Sequence, residues 1–286
     1  MNFTKMQAAG NDFVVMASDA TGNNWSALAR LLCDRHFGIG ADSLLLVLPS
    51  TEADFFMRTF DADGSEAEAC GNGIRCLAKY SLEKGIIPAD SDEVLVETVA
   101  GIRSVSLIQE SDQIVGIRAS MGVPSLAADT IPVRLSGEES VVYIKEMLQC
   151  NVTANGNALK LNLVSIGNPH AVFFTETPVA EFPLDMVGPL VERLPMFPSR
   201  TNFEVARVLG GREIEARVWE RGVGETMACG TGACAITVAA SLLGYIEHEA
   251  EIILPGGTLG VAWDGRGEVL LQGPAETVFE GQWPER

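Results

Sequence analysis

Basic residues are scarce in this chain: 20 Lys and Arg stand against 38 Asp and Glu, a formal net charge of −18 over 286 residues. That balance excludes a partner held through its phosphate backbone, because nucleic-acid binding needs clustered Lys and Arg. Long apolar runs are missing too. The longest, such as "LLLVL" at 44–48, falls far short of a bilayer span. The opening "MNFTKMQAAGNDFVVM" has a single Lys and no sustained apolar core, so no secretory signal is expected. Six cysteines in a chain this long do not make a disulfide scaffold, and mostly free thiols in the cytoplasm are expected. There is no GxGxxG, Walker loop or GxSxG in a suitable context. "DADGSEAE" at 61–68 opens like a calcium loop, yet its sixth position is Glu66 rather than Gly and its twelfth is Asn72 rather than Glu.

What is present is a motif used twice. "ACGNGIRCLA" occupies 69–78 and "ACGTGACAIT" occupies 228–237, so Cys70 and Cys229 are 159 positions apart. That spacing is too long for a solenoid repeat and is about one domain, which points to a duplicated half. Around each copy the pattern is similar. Short apolar or alternating runs separated by Gly, Asp and Asn predict strands at 12–16, 43–48, 54–60, 93–99, 103–109 and 113–120. In the second half they fall at 141–147, 159–167, 171–174, 202–209, 212–220, 250–256, 258–263, 268–273 and 276–281. Helices are predicted over "WSALARLLCDRHFG", from just after Cys70 to about Lys84, over "PLDMVGPLVERLP", and from just after Cys229. "MGVPSLAAD" at 121–129 reads as the linker. The fold class is α+β, rich in antiparallel strands, with one central helix in each half.

A cysteine just ahead of a helix meets unpaired N–H groups and the positive end of the helix dipole, which favours thiolate. Flanking glycines (Gly71 and Gly73; Gly230 and Gly232) let a ligand approach the backbone, and the same N–H groups can cradle a carboxylate. Taken as a pair, one thiolate can remove a proton from carbon while one thiol returns a proton to the opposite face, inverting a stereocentre without pyridoxal phosphate or metal. Two nearby thiols would share one proton and titrate together. Cys33, Cys76, Cys150 and Cys234 read as small core residues. A zinc site from Cys229 and Cys234 is disfavoured, since five helical positions turn the side chains apart.

The stretches "KMQAAGNDFVV", "GIGADSLLLV", "DADGSEAEACGNGIRC", "GNPHAV", "RTNFEV", "VWERGVGETMACGTGAC" and "PGGTLGVAW" together resemble the diaminopimelate epimerase family, in order, from about residue 4 to about residue 263. The resemblance implies a cofactor-independent two-thiol amino-acid epimerase that interconverts LL- and meso-diaminopimelate for lysine and peptidoglycan. It also implies two pseudo-symmetric domains, each a curled, mostly antiparallel sheet around a central helix, with the site in the cleft between them. The expected division is 1–121 with 274–286, carrying Cys70, and 122–273, carrying Cys229. By resemblance, Cys70 and Cys229 are the catalytic bases and His170 and Glu220 tune the thiols. The substrate positions are Asn11, Asp61, Gly71, Asn72, Asn168, Asn202, Glu220, Arg221, Gly230 and Thr231, with Arg221 on the distal carboxylate. No metal or cofactor is implied. The implied partner is a small amino-acid substrate, with no nucleic acid or membrane, and a homodimer is left open. Departures from the family pattern are Gln7 for His, Ala8 for Gly, Ser43, and Asp61 for Asn. A relative acting on another amino acid is the alternative, and a thiol-redox protein is a more distant one.

Overall fold

The computed structural model describes residues 1–19, 22–67, 71–110, 113–135 and 140–284. Cys70 and its neighbours Glu68 and Ala69 lie outside them. The chain divides into two compact units, Met1–Ser120 with Gln272–Arg286, and Met121–Leu271.

In the first unit the order is β1 (Asn2–Ala8), β2 (Asn11–Ala17), α1 (Trp25–Leu32), β3 (Ser43–Leu48), β4 (Phe55–Asp61), β5 (Glu66–Ala67), α2 (Gly71–Glu83), β6 (Glu93–Thr98), β7 (Gly101–Glu110) and β8 (Gln113–Ser120). Strands β2 and β3 are covered on both faces, which is why "SLLLVL" is apolar from Leu44 to Leu48. Phe13, Val15, Leu45 and Val47 pack with Ile74, Leu77 and Ala78 of α2. The alternate residues Val14, Met16, Leu44, Leu46 and Leu48 pack with Trp25, Ala29 and Leu32 of α1. The period of two along a strand sends neighbours to opposite cores.

The second unit runs β9 (Ser140–Ile144), β10 (Met147–Ala154), β11 (Asn157–Ser165), β12 (Pro169–Phe174), α3 (Leu184–Glu192), β13 (Asn202–Gly210), β14 (Glu213–Glu220), β15 (Gly224–Thr226), α4 (Gly230–Leu243), β16 (Glu249–Leu254), β17 (Gly257–Ala262) and β18 (Leu270–Gly273). The last strand, β19 (Glu276–Gln282), pairs antiparallel with β1. Helix α4 carries no charged residue and packs against β11, β12, β13, β16 and β17. Ala233, Cys234, Ala235, Ile236, Val238 and Ala239 are fully buried, as expected of a helix apolar on all sides. Gly244 ends it in the left-handed conformation at φ 77°.

The duplication is written in the pairing. In the first unit β2–β3 is parallel, β3–β4 and β4–β5 antiparallel, β4–β6 parallel and β6–β7 antiparallel. In the second, β12–β13, β13–β14, β14–β15, β14–β16 and β16–β17 repeat that succession. A helix follows the short strand β5 or β15 in each case, α2 and α4 respectively. The fold is α+β, as the sequence pattern implies.

Three expectations are corrected. The helix drawn from Trp25 to Gly38 stops at Leu32, because the Asp34 carboxylate accepts from the N–H groups of His36 (2.8 Å) and Phe37 (2.7 Å) and folds the chain into a turn. The single strand at 141–147 is a hairpin: Lys145 and Glu146 both take positive φ (46° and 76°), reversing the chain from β9 into β10. Strand β1 was absent from the strands read in the sequence, since Lys5 interrupts its apolar pattern; Lys5 is buried there by its ion pair with Asp12 at 2.6 Å. The expected linker is fastened down, with Met121 bonded to Val269 and Ser125 bridged to Ser165.

One packing contact makes a direct test. A Cβ on Gly188 of α3 would lie 2.6 Å from Cγ and Cδ2 of Trp219, rigid atoms that cannot swing away. Gly188→Ala should therefore lose stability, the overpacking cost of about 1–3 kcal/mol exceeding the roughly 1 kcal/mol gained in helix propensity. A chemical-denaturation midpoint that rises would contradict this packing.

Candidate functional site

In the second unit, Cys229 is the N-cap of α4. Its backbone is extended (φ −124°, ψ 116°) and its Sγ accepts from the Gly232 N–H at 3.4 Å. Thr231 Oγ1 is also 3.4 Å from Sγ. The glycine at 232 matters for space: a Cβ there would sit 3.3 Å from the Cys229 Cβ and 3.1 Å from Glu204 Oε1. So a thiol and a carboxylate both crowd the first turn of the helix, where its unpaired N–H groups attract negative charge.

Cys229 is only 6% exposed. Burial pushes its thiol well above the ordinary range, and the nearby Glu220 and Glu204 carboxylates push further, while the bonds from Thr231 and the Gly232 N–H pull the other way. Burial likewise raises Glu220, against the lowering effect of its bond from Thr226 Oγ1 at 2.5 Å. Glu220 is thus tied to Thr226 rather than to Arg221.

His170 and Glu204 are both fully buried and joined at 2.7 Å through Nδ1 and Oε1. The other ring nitrogen, Nε2, faces Asn168 Oδ1 at 2.9 Å, and Asn168 Nδ2 reaches Thr231 Oγ1 at 3.3 Å. The result is a continuous polar string, Glu204–His170–Asn168–Thr231–Cys229, laid against the start of an otherwise apolar helix. Within this string Glu204 Oε1 is partnered, while its other oxygen, Oε2, is buried without a hydrogen-bond partner. Asn202 is spent on the backbone. Its Nδ2 donates to Pro169 O (3.0 Å) and its Oδ1 accepts from Arg221 N (2.8 Å). Glu192 accepts from the next N–H, Gly222, at 3.1 Å. Together they set the turn that presents the exposed Arg221, whose guanidinium donates to Ser199 O at 3.3 Å.

The first unit places its own set at the start of α2. Asn72 Nδ2 contacts Asn11 Oδ1 at 3.4 Å, and Asn11 Nδ2 donates to Asp42 at 2.6 Å. Arg75, fully buried, donates to Gly71 O (2.9 Å) and Asn72 Oδ1 (2.8 Å). Two departures from the family pattern prove to be partners: Ser43 and Asp61 face each other across β3 and β4, and Ser43 Oγ donates to Asp61 at 2.9 Å. Burial raises the Asp61 carboxyl, with Asp63 and Asp42 adding to the effect and Ser43 opposing it.

The two sets correspond. Gly10 and Gly167 both take positive φ (82° and 85°) before Asn11 and Asn168, and each of these asparagines meets the second residue of its helix, Asn72 or Thr231. Ser43 pairs with Asp61, and in the second unit Phe203 and Trp219, the chain neighbours of Asn202 and Glu220, pair in the same β-register. They diverge in one respect. Where β12 and β13 align His170 with Asn202 and Val172 with Glu204, β2 and β3 align Phe13 with Ser43 and Val15 with Leu45. The buried His–Glu pair therefore has apolar counterparts in the first unit. Glu204, Thr226 and Glu192 were not singled out in the sequence. Glu204 sits in an apolar strand pattern, and a buried acid there is itself a signal that could have been read.

Five described cysteines, Cys33, Cys76, Cys150, Cys229 and Cys234, are free. Among the described residues, no group of three or more His, Cys, Asp or Glu side chains could hold a metal ion, and no helix is long and apolar enough to cross a membrane.

Comparison with known proteins gives the family. The diaminopimelate epimerase family profile matches residues 3–127 and 162–278. Diaminopimelate epimerases from Methanococcus maripaludis (strain C6) and Moorella thermoacetica are each 45% identical, over 284 and 287 residues, covering 99% of this chain and 99% of theirs. Among solved structures, a hydroxyproline epimerase from Agrobacterium vitis aligns with a TM-score of 0.70 at 15% identity, over 98% of this chain and 91% of that one. A PhzF-family phenazine biosynthesis protein from Bacillus anthracis aligns with a TM-score of 0.68 at 18% identity, over 98% of each. These last two are likenesses of fold. A profile covering most of the chain, and relatives this similar end to end, make the chain a member of the diaminopimelate epimerase family.

Proposed function

We propose that this isomerase interconverts LL- and meso-2,6-diaminopimelate with Cys70 and Cys229 as its two bases. In one direction the Cys70 thiolate takes the α-proton. The electron pair left on carbon spreads into the adjacent carboxylate, which the helix-start N–H groups around Gly71, Asn72, Gly230 and Thr231 stabilise. The Cys229 thiol then delivers a proton to the opposite face. In the other direction the roles exchange. The observation that carries this reading is Cys229 itself: a buried thiol at the N-cap of an apolar helix, facing Glu220, and in an environment that holds its proton. A pair sharing one proton needs one member that keeps it and one that gives it up.

The remaining assignments follow the same reading. Asn11, Asn168 and Asn202 order the substrate and the turn beside it. His170 and Glu220 tune the thiols, and Arg221 pairs with the distal carboxylate, the contact an arginine fork makes best. Asp61, with its carboxyl raised by burial, stands in for the amide usual at that position. The cytoplasm is where such thiols stay reduced.

Four outcomes test this. The enzyme, with no added cofactor, should incorporate solvent deuterium at the α-carbon of LL- and meso-diaminopimelate, followed by NMR. Exhaustive chelation or hydroxylamine should leave the rate unchanged, and a large loss under either would point to a cofactor instead. Arg221→Met should lower kcat/KM for diaminopimelate by an amount corresponding to about 2–5 kcal/mol for an unpaired carboxylate; an unaltered rate would mean that the distal carboxylate is bound elsewhere. Alkylation of Cys229, followed by mass spectrometry without substrate, should be slow at neutral pH and still climb above pH ~9, because its thiolate forms only above the ordinary thiol range. A plateau near neutrality would reverse the assignment of proton donor.

A further inference from the structure

Cys229 and Cys70 are not the only residues repeated at a spacing of 159. Arg217 and Glu225 lie 159 positions beyond Arg58 and Glu66. In each unit the pair forms the same two-pronged ion pair. Arg58 Nε and Nη2 donate to Glu66 Oε1 and Oε2 at 2.6 and 2.8 Å, and Arg217 Nε and Nη2 donate to Glu225 Oε1 and Oε2 at 2.7 and 2.9 Å. Each joins the same two strands at the same register, Phe60 opposite Glu66 and Trp219 opposite Glu225. Strands β5 and β15 are two and three residues long, too short to be held firmly by ladder bonds alone. Each acid stands four residues before its cysteine.

We infer that the Arg217–Glu225 pair is a positioning device for Cys229, and that Arg58–Glu66 is its counterpart for the half carrying Cys70. The inference rests on the two-thiol reading above. In the second unit the path is explicit. Arg217 is anchored on the far side by donating to Val179 O and Phe182 O, both at 2.9 Å. Its fork fixes Glu225. The next residue, Thr226, donates to Glu220, whose carboxyl bears on the Cys229 thiol. Releasing Glu225 frees Thr226, and with it the Glu220 carboxyl that contacts the Cys229 thiol and fixes its place. An exposed cross-strand ion pair contributes little to stability, so retention of one fork at both places points to geometry.

The test uses the full-length enzyme and an analogue bearing fluorine on the β-carbon. From it, one base removes the α-proton and fluoride leaves without need of the second thiol. Cys229→Ser and wild type first establish which epimer depends on Cys229. Arg217→Met and Glu225→Gln should then slow elimination from that epimer about 10- to 100-fold, with KM within about threefold, as displacement of a reacting group by roughly 1 Å would do. The other epimer should be little affected. Arg58→Met should show the opposite preference. Arg217→Lys should recover only part of the rate, since an ammonium cannot reproduce the fork. Arg207→Met, which breaks the 3.4 Å Arg207–Glu215 pair between β13 and β14, is the control for loss of an ordinary cross-strand pair and should leave both rates near wild type. Equal slowing of both epimers by Arg217→Met, or no slowing where Cys229→Ser is inactive, overturns the positioning role alone. A Cys229→Ser enzyme that keeps both rates overturns the two-thiol reading and this inference with it.

Discussion

Everything in the second unit is arranged around one buried helix end. Helix α4 has no charged side chain and is enclosed by strands on several sides, yet its first turn presents N–H groups that no helical carbonyl can satisfy. The chain meets that demand with sulfur and carboxylate: Cys229 caps the helix, Glu204 lies against Gly232, and Glu220 stands beside the thiol. The helix end attracts these negative groups and burial penalises them. The thiol answers by keeping its proton.

The polar string from Glu204 to Cys229 also explains the composition of the surrounding strands. Residues of one parity on β12 and β13, including Ala171, Phe203 and Val205, pack with Leu184, Val187 and Val191 of α3. The other parity carries His170, Asn202 and Glu204, all buried. A strand with both faces covered is free to place a polar network on one side, provided each member finds a partner. The first unit, built on the same strand succession, fills the corresponding positions with Phe13 and Leu45. Duplication has preserved the frame and the helix-start cysteine while the groups beside the thiol have diverged.

The membership of the family and the arrangement in the second unit bear on each other. Relatives 45% identical over nearly the full chain carry the name diaminopimelate epimerase. The position that departs most in charge, Asp61, is not isolated: its partner Ser43 departs as well, and the two are hydrogen-bonded across β3 and β4. Burial raises the Asp61 carboxyl, against the opposing bond from Ser43.

Local chemistry in the sequence determined a good deal. Glycines with positive φ, such as Gly10, Gly167 and Gly244, mark turns and helix ends that could be read directly, and the uncharged, mostly apolar 43–48 and 230–243 stretches announce elements covered on every side. The doubled Ala-Cys-Gly-x-Gly announced two helix-start thiols. What the pattern did not show lay both near and far along the chain. Lys5 breaks a strand pattern until Asp12 pairs with it, Asp34 ends a helix by its side chain, and Lys145–Glu146 turns where propensity predicts extension. Glu204 becomes intelligible only when β12 and β13 lie side by side and bring His170 to it across 34 positions. The sequence by itself determined which residues could react and where the backbone would turn. The tertiary structure alone decided which acid, imidazole and amide would surround the described thiol, because strand register, set by burial of whole faces, brings together groups that no local pattern relates.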